Sequence, residues 1–557
     1  MALIDTKRRK KRRKKKRAVV KPTPTPTPKP IPAPTPSPTP SPTPSPAPST
    51  TPSPSPSPST PTQPTTPGAP VPLVATPAMG ATLRASARER LFLNRFGTGF
   101  SQRALAQLRS VGTPEQWLAA QLTPERFVEN PTIATIDGWY TSLRTDTAPQ
   151  RWSQQVSGTK GSYDWAHELG CWTILRRIYS ERMLVERMTG FWSDVLHVPA
   201  YHDKAWIWRH DYDTTIRQRA LGTYEELLLA TALHPAMRLY LDNWKNVRDK
   251  PNENQGRELL ELHTVGHDGG YTEEMVKDSA RILSGYTVDW ATTFAPRYDA
   301  ATHATGAVTV LGFSHANSAA DGRAVTEAYL RYLARHPATA RNVATKMAVH
   351  FVGDRPSAAL VDALAATYLD SGTSIPAMLR TLASHVDFAA SGGQKLRTAV
   401  DDLVATARVL EVQVTDPPSN NQSYAHNSNF VHGGAGLFSW PRPDGSPAST
   451  EAWASVSRIF GSFGMHFSQA GGYWPKGASY TLATGWLPSA SLSFRDHVDH
   501  LCQRLLGRAA DARLLLAASQ ATDTAADAVV DKNQAAVNSY APILLATLLD
   551  SPDHLSP

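Results

Sequence analysis

Apolar residues recur at spacings of three and four along most of the chain after residue 80. This spacing collects them on one face of an α-helix, whereas a half-buried strand would alternate every second residue. The pattern predicts helices over residues 87–96, 101–108, 114–121, 172–191, 223–232, 253–265, 273–283, 323–335, 339–351, 358–369, 375–384, 451–460, 494–506 and 511–519. Only the stretch 307–311, with its threonine and valines, has the composition of a strand. We therefore predict an all-α fold, a large multi-helix domain with a small β excursion near residues 290–315.

Polar residues mark where several of these helices begin. Thr113 precedes a proline that suits the first helical position, and Thr223 and Thr272 each precede a pair of glutamates. A threonine hydroxyl can accept a backbone N–H at a helix start, and negative charge is favourable there. These three threonines are predicted to be N-caps.

Residues 416–454 interrupt the helical pattern. They are rich in Asn, Gly, Pro and Ser and contain few apolar residues. The segment is predicted to be an extended loop that crosses the surface or a site. Helices are predicted to resume after it, which makes residues 81–557 the folded part of the chain.

The first 21 residues have the composition of a disordered tail. Residues 7–17 are all Lys or Arg, so like charges repel one another and there is no apolar face to fold around. Residues 1–80 carry a formal charge of +12 against −3 for the remainder. The positive charge is therefore not spread over a compact nucleic-acid-binding domain. The tail is either a solvated segment or a contact for an anionic surface such as phospholipid, wall polymer or nucleic acid.

A Pro, Thr and Ser repeat occupies residues 22–80. Proline fixes φ and removes backbone donors, which favours an extended polyproline II rod. The segment is predicted to be a linker, either a spacer between an anchoring surface and the helical domain or a connection with no required reach. Only Ala18, Val19 and Val20 separate the basic run from Lys21, so no apolar region of a secretory signal is recognisable. No apolar stretch is long enough for a transmembrane helix.

The segment 251–283 is the richest in candidate chemistry. On a helix, Asn254, Arg257, Glu258 and Glu261 share one polar arc. Glu258 and Glu261 could act as acid and base, with Arg257 keeping one of them ionised. The alternative is a solvated helix face joined by ion pairs from Glu253 to Arg257 and from Arg257 to Glu261. The candidate catalytic residues are thus Glu258, Glu261 and Arg257, and the candidate substrate-binding residues are Asn252, Asn254, Asp242 and Asn243.

The same segment resembles a known family. Residues 252–266 read Asn-Glu-Asn-Gln-Gly-Arg-Glu-Leu-Leu-Glu-Leu-His-Thr-Val-Gly, and Gly-Gly-Tyr-Thr-Glu-Glu follows. Further motifs include Arg-Phe-Gly at 95–97, His-Pro-Ala-Met at 234–237 and His-Pro-Ala-Thr-Ala at 336–340. Together they resemble the signature of the bacterial family called domain of unknown function 1800, over about residues 84–390 and again near Gly436.

The resemblance implies a large, mainly helical bacterial protein with no established reaction. Members are typically exported and are often encoded beside a sulfatase-like family, which makes a sulfatase-like protein a candidate partner. We therefore expect a secreted or envelope location, and the missing signal region leaves a cytoplasmic location open. After Phe-Trp at 191–192 the family often has His-Asn-His-Phe, and here the four positions are Ser193, Asp194, Val195 and Leu196. A histidine-dependent mechanism therefore does not transfer to this chain.

Other candidate groups are less specific. The histidines and aspartates between His197 and Asp213 either form a Zn²⁺ or Ca²⁺ site or belong to an ordinary surface loop. They have no recognised ligand spacing, so no metal site is assigned, and the sequence does not identify a cofactor. Cys171 and Cys502 either pair or remain thiols. Several tryptophans near loops suit either stacking on sugar rings or core packing: Trp206, Trp208, Trp440, Trp453, Trp474 and Trp486.

Three functional interpretations follow. The first is an envelope-associated helical protein of undetermined activity. The second is a hydrolase that acts on an envelope glycan through the carboxylate pair Glu258 and Glu261. The third is a binding or assembly module for the sulfatase-like partner. A carboxylate pair that opens into a cleft would favour the hydrolase, and an exposed apolar patch would favour assembly.

Overall fold

Helices form most of the structure, a computed structural model that describes residues 69–290, 292–415, 423–429 and 436–557. The polybasic tail and residues 22–68 of the Pro-rich linker lie outside the described residues. The first half of the chain contributes helices α1 Ala87–Arg95, α2 Gln102–Val111, α3 Pro114–Gln121, α4 Pro131–Trp139, α5 Thr141–Thr145, α6 Ala148–Ser157, α7 Ser162–Tyr179, α8 Met183–Val195, α9 Arg209–Arg219, α10 Tyr224–Ala232, α11 Pro235–Tyr240, α12 Asn254–Glu258 and α13 Glu273–Ile282. A π-helix, Leu259–His263, follows α12 directly.

The second half contributes α14 Arg323–Ala334, α15 Pro337–Phe351, α16 Ala358–Asp370, α17 Ile375–Ser384, α18 Val386–Ala389, α19 Ala399–Val409, α20 Tyr424–Ser428, α21 Thr450–Trp453, α22 Val456–Ala470, α23 Phe494–Leu506, α24 Ala512–Thr522, α25 Ala541–Leu549 and α26 Pro552–Leu555. The predicted helical fold is thus confirmed. Within the described residues, no helix is both long enough and apolar enough to cross a bilayer.

Strands form short antiparallel pairs. The pair β1 Tyr286–Val288 with β2 Pro296–Tyr298 and the pair β3 Val308–Val310 with β4 Phe313–His315 make up the predicted β excursion. Two further pairs are not predicted by the sequence: β5 Gln413–Val414 with β6 Ala478–Ser479, and β7 Ser491–Ser493 with β8 Val529–Asp531. Strands of two or three residues are too short to show an alternating pattern.

The predicted N-caps are present. The hydroxyls of Thr113, Thr223 and Thr272 accept hydrogen bonds from backbone N–H groups three residues ahead. The helix predicted over 451–460 is instead divided, because Ser455 caps a new helix: its side chain accepts from the backbone of Arg458, so α21 ends at Trp453 and α22 begins at Val456. Hydroxyl caps therefore set these helix boundaries.

The packed part of the chain begins earlier than residue 81. The backbone N–H of Val71 donates to Arg126 O at 2.7 Å, and Arg504 Nη1 donates to Pro77 O at 3.1 Å. Val71 is buried against Phe127. The end of the predicted linker thus lies on the helical unit that spans residues 66–557.

Gly256 lets α12 approach α13 closely. A Cβ at this position would lie 2.8 Å from Ala280 N and 3.2 Å from Val276 O, and Ser279 Oγ already donates to Gly256 O at 3.2 Å. This position therefore needs a residue without a side chain, because backbone atoms cannot move aside as a flexible side chain could.

We expect Gly256→Ala to lower the free energy of unfolding by about 1–3 kcal/mol, because the added methyl group overpacks the α12–α13 contact. Thermal unfolding measures the effect. The matched control is Gly138→Ala near the end of α4, where no atom lies within 4 Å of the new Cβ. That variant should unfold at the wild-type temperature or slightly above it. Equal thermal midpoints for the two variants would contradict the close approach.

Candidate functional site

A cavity of about 590 Å³ opens between α7, α8, α15, α19, α22 and the segment 436–448. We call it the central cavity. Its wall combines charged and aromatic side chains in a volume suited to a small organic ligand or part of a polymer. The lining residues that carry the argument below are Arg177, Arg187, Phe191, Asp194, Lys346, His350, Asp401, Phe438, Trp440, Asp444, Trp453 and Arg458.

Helical periodicity brings these side chains together. On α8, Gly190 and Phe191 lie three and four residues after Arg187, and Asp194 lies three residues after Phe191, so the four occupy one face. The same spacing places Lys346 and His350 on one face of α15. The cavity wall is therefore built from helix faces that point into the protein and yet carry polar side chains, whereas an ordinary inward face is apolar.

A partly buried ion pair joins two of these helices. Arg187 Nη1 lies 3.0 Å from Asp401 Oδ1, and Arg187 also donates to Gly97 O at 3.1 Å and Asn94 O at 3.2 Å. Burial opposes ionisation of Asp401, but Arg187 and Arg177 prevail and lower its pKa to about 2. Asp401 is thus a permanent carboxylate, and Arg187 is engaged on all sides by the protein.

Asp194, unlike Asp401, has no ion-pair partner in the described part of the chain. Within the described residues no Lys or Arg lies within 4.0 Å of its carboxylate, although the backbone N–H of Ser446 donates to it. Burial raises the pKa of Asp194 to about 7, and Arg177 offsets only part of this rise. A carboxyl group with this pKa can hold or release a proton near neutral pH, as a general acid or base requires.

Arg177 faces the same space without a protein acceptor. Its side chain makes no hydrogen bond or ion pair within the described residues, and its Nε is buried without a partner. Gly190 makes room for it, since a Cβ there would collide with the guanidinium. Asp401 and Asp194 act on its charge from a distance, but no acceptor among the described residues binds it directly, so this guanidinium is available to an anionic or strongly polar group of a ligand.

Two tryptophans are fixed at the cavity. Trp440 Nε1 donates to Asp444 Oδ1 at 3.2 Å, and Trp453 Nε1 donates to Pro447 O at 2.8 Å. Of the other tryptophans singled out in the sequence, Trp206 and Trp486 are buried in the core, and Trp474 is exposed away from the cavity lining. Trp440 and Trp453 are therefore the pair that a ligand could contact.

The acidic segment predicted as the functional centre does not line the central cavity. The helix predicted over 253–265 is α-helical only to Glu258 and then becomes the π-helix. Glu258 is half-buried, and its pKa is raised by burial and by Glu261. Glu261 accepts a hydrogen bond from the Tyr271 hydroxyl at 3.2 Å and lies 3.1 Å from His267 Nδ1. The two carboxylates thus lie close enough to interact electrostatically, and Glu261 contacts Tyr271 and His267.

Arg257 turns away from Glu261. It forms a two-pronged ion pair with Glu273, at 2.9 and 2.6 Å, and lies 3.5 Å from Glu253. The alternative pairing of Arg257 with Glu261 is absent within the described residues, because the wider π turn removes the one-turn register between them. Arg257 therefore ties α12 to the start of α13.

The predicted substrate-binding residues form local hydrogen bonds and ion pairs within the protein. Asn243 Nδ2 donates to Leu283 O at 3.1 Å, and Asn252 Oδ1 accepts from the backbone of Asn254 at 3.0 Å. Asn254 is exposed, and Asp242 accepts from Trp244 Nε1 at 3.2 Å and pairs with Lys245 at 2.8 Å. None of these four residues lines the central cavity.

Side chains from α10 and α15 hold the carbonyl groups that the π-helix leaves free. Lys346 Nζ donates to Leu262 O at 2.6 Å, Asn342 Nδ2 donates to Thr264 O at 2.7 Å, and the Tyr224 hydroxyl donates to His263 O. Burial lowers the pKa of Lys346 to about 8. Because Lys346 also lines the cavity, the acidic segment and the cavity share one wall. The negative charge of Asp444, which lines the cavity, also raises the pKa of Glu258 on the other side of this wall.

A second buried cluster lies among the C-terminal helices. His466 Nε2 and His554 Nε2 lie 3.1 and 3.3 Å from Asp402 Oδ1, and His466 Nδ1 lies 2.7 Å from Asp550 Oδ1. Burial disfavours the charged imidazole, but Asp402 and Asp550 raise the pKa of His466 to about 9. It is the one His, Cys, Asp or Glu group with metal-ligand geometry in the described part of the chain.

The histidines and cysteines noted in the sequence remain separate. His197 lies between the carbonyl groups of Ser193 and Trp440, and His210 is buried beside Trp172. Cys171 and Cys502 are free, buried thiols, and burial raises the pKa of both. Of the two alternatives, paired or free, the two cysteines are thus free thiols.

Comparison with known proteins identifies the family of the chain. The model of the family described as "Protein of unknown function (DUF1800)" matches residues 91–556. This match extends the resemblance noted at 84–390 to nearly the C-terminus, and it includes every segment of the central cavity. No curated protein and no solved structure matches the chain.

We expect Asp194→Asn to stabilise the protein, and more at pH 8 than at pH 5. The folded-state pKa of about 7 exceeds the unfolded value near 3.9, so the folded form loses stability as pH rises between these values. Asparagine resembles the protonated acid and avoids this loss, which amounts to about 2 kcal/mol between pH 5 and 8. Thermal unfolding at both pH values measures the difference.

The control is Asp401→Asn, which breaks the ion pair with Arg187 and should lower the thermal midpoint at both pH values. An Asp194→Asn shift that does not change between pH 5 and 8 would show that Asp194 titrates normally.

Proposed function

The chain belongs to the DUF1800 family, described as a family of unknown function, and we propose that it is a hydrolase that cleaves a glycan in the central cavity. The observation that supports this most directly is the carboxyl group of Asp194, which has a pKa near 7 and shares a cavity with Trp440 and Trp453. Glycoside cleavage needs an acid that remains protonated near neutral pH, and tryptophan rings suit the apolar faces of sugars.

The roles follow from the surroundings of each group. Asp194 would protonate the leaving oxygen, and Asp444 would be the second carboxylate, either activating water or attacking the sugar. Asp401 would not react, because its low pKa makes it a poor base. Arg177 would bind a polar or anionic substituent of the sugar.

The acidic segment is the second part of the proposed site. Glu258 and Glu261 form a carboxylate pair behind the Lys346 wall, and Asp444 acts electrostatically on Glu258. In this proposal Arg257, Asn252, Asn254, Asp242 and Asn243 hold the segment in place through the contacts described above. The pair would receive a longer substrate that extends past the cavity mouth.

An envelope location is part of the proposal, because it would supply the glycan. The polybasic run would hold the protein at an anionic surface, and the Pro-rich linker would keep the helical domain at a distance from it. Recovery of the protein only in the cytosolic fraction of lysed cells would refute the location and leave the cavity chemistry untouched.

We expect the full-length protein to release reducing ends from purified peptidoglycan or soluble glycan fragments. Asp194→Asn should lower kcat at least about 100-fold and leave binding unchanged, because it removes the acid and keeps its shape. Activity should fall as pH rises above about 7, where Asp194 loses its proton. Asp362→Asn, on the exposed face of α16, is the matched control and should be fully active.

Glu258→Gln and Glu261→Gln distinguish the two parts of the site. If the acidic segment takes part, each should lower kcat/KM at least about tenfold while the protein stays folded. Loss of activity in these variants but not in Asp194→Asn would move the catalytic centre to the acidic segment. Full activity of all three variants would refute the proposal.

A second candidate function is assembly with a sulfatase-like protein, and one surface favours it. Helix α22 exposes an apolar stripe: Val456 is 71% and Phe460 67% exposed, and Phe467 is 41% exposed. Phe463 lies between them, with its ring 6.1 Å from that of Phe460. Contiguous apolar surface of this kind is typical of protein interfaces.

We expect Phe460→Asp to abolish co-purification of a co-expressed sulfatase-like protein, because it places a charge in the middle of the stripe. Val386→Asp is the control, since Val386 is 72% exposed on α18, outside the stripe. Co-purification that survives Phe460→Asp would exclude α22 as the interface.

A further inference from the structure

The cluster of Asp402, His466 and His554 has the arrangement of a metal site. The three residues come from α19, α22 and α26, and all three are fully or almost fully buried, at 0%, 0% and 2% exposure. Their ligand atoms lie within 4.8 Å of one another. Polar groups this deeply buried need partners, and these three converge on one point rather than on separate partners.

The distances fit a tetrahedral ion. Zinc binds imidazole nitrogen and carboxylate oxygen at about 2.0–2.2 Å, so neighbouring ligands of a tetrahedral ion lie about 3.3–3.5 Å apart. The two histidine Nε2 atoms lie 3.1 and 3.3 Å from Asp402 Oδ1. One ion could therefore bind all three atoms with little movement of the helices.

The surrounding hydrogen bonds orient these atoms. Asp550 Oδ1 lies 2.7 Å from His466 Nδ1, so it would hold a proton on this nitrogen and leave Nε2, on the side of Asp402, free to bind a metal ion. Asp402 Oδ2 accepts from Ser462 Oγ at 2.6 Å and lies 3.4 Å from Arg458, which leaves Oδ1 for the histidines. Carboxylate support behind a histidine ligand is the usual outer arrangement of zinc sites.

A positive charge must lie between these groups. A lone pair on Nε2 and a carboxylate oxygen 3.1 Å apart repel each other unless a proton or a metal ion separates them. A proton on His466 would satisfy that one contact, whereas a single metal ion would satisfy both histidines and Asp402 together. Two imidazoles and one carboxylate are a ligand set that zinc binds readily.

We propose that Asp402, His466 and His554 bind one zinc ion that joins α19, α22 and α26. Thr406 Oγ1, which lies 3.0 Å from His554 Nε2, would take the fourth position or hold a water molecule there. The site is closed to solvent, so its role is structural: it fixes the C-terminal helix against the floor of the central cavity, where Arg458 is a lining residue. This proposal does not depend on the proposed hydrolase activity.

Metal analysis and cobalt substitution of the full-length protein test the site. We expect about one zinc per chain by plasma mass spectrometry, a lower thermal midpoint after chelation, and recovery on adding zinc alone. Cobalt added to the metal-free protein should give the visible absorption of a tetrahedral ion. Asp550→Asn leaves the ligands intact and should weaken zinc binding at least about tenfold.

His554→Gln should remove the metal, and His210→Gln, which changes a buried histidine outside the cluster, should retain it. If His554→Gln fails to fold, the cobalt spectrum and metal content of the wild-type protein decide the question. Absence of stoichiometric metal, together with a thermal midpoint insensitive to chelator and zinc, would overturn the proposal and leave a protonated His466 between two carboxylates. A different metal in stoichiometric amount would overturn the assignment to zinc.

Discussion

Buried charges and carbonyl groups have to be paired, and this requirement fixes how the helices meet around the central cavity. Arg187 joins α8 to α19 through Asp401, and Lys346 joins α15 to the π-helix through Leu262 O. Arg458 joins α22 to α19 through Asp402. Loss of one partner would leave a desolvated charge, which costs several kcal/mol. The polar wall of the cavity is therefore also what holds the helices in register.

Among the described residues, two charged groups in the cavity lack a direct ion-pair partner, and these are the groups that could act on a ligand. Arg177 has a buried Nε with no acceptor, and Asp194 has no cation within ion-pair distance in the described part of the chain. Both groups are costly to keep in the folded state, and both face the same space. Unsatisfied groups that cluster in a cavity are typical of sites where stability has been given up for function.

Amphipathic spacing and hydroxyl caps are local signals, so the sequence predicts helices such as those that begin after Thr113 and Thr272. The predicted helix over 172–191 is wrong, because the helix breaks between α7 and α8, and helices such as α9 and α19 lie outside the predicted ranges. The sequence does not predict the π-helix, because Lys346, Asn342 and Tyr224 stabilise its carbonyl groups from distant parts of the chain. The central cavity is hidden for the same reason: it is assembled from helix faces that are far apart in sequence. Asp194 carries the one signal that could have located it, since it replaces part of the histidine motif common in the family. The pair Asp402 and His466 has no such signal, because its members are 64 residues apart.

The two buried thiols have a consequence for how this chain responds to its redox environment. Cys171 is enclosed in α7 and Cys502 in α23, and burial keeps both protonated because it raises their pKa far above neutral. A protonated, enclosed thiol neither attacks a disulfide nor reacts readily with oxidants. No disulfide has to form for the described helices to pack. Once folded, the described part of the protein therefore keeps both thiols unreactive in a reducing or an oxidising environment.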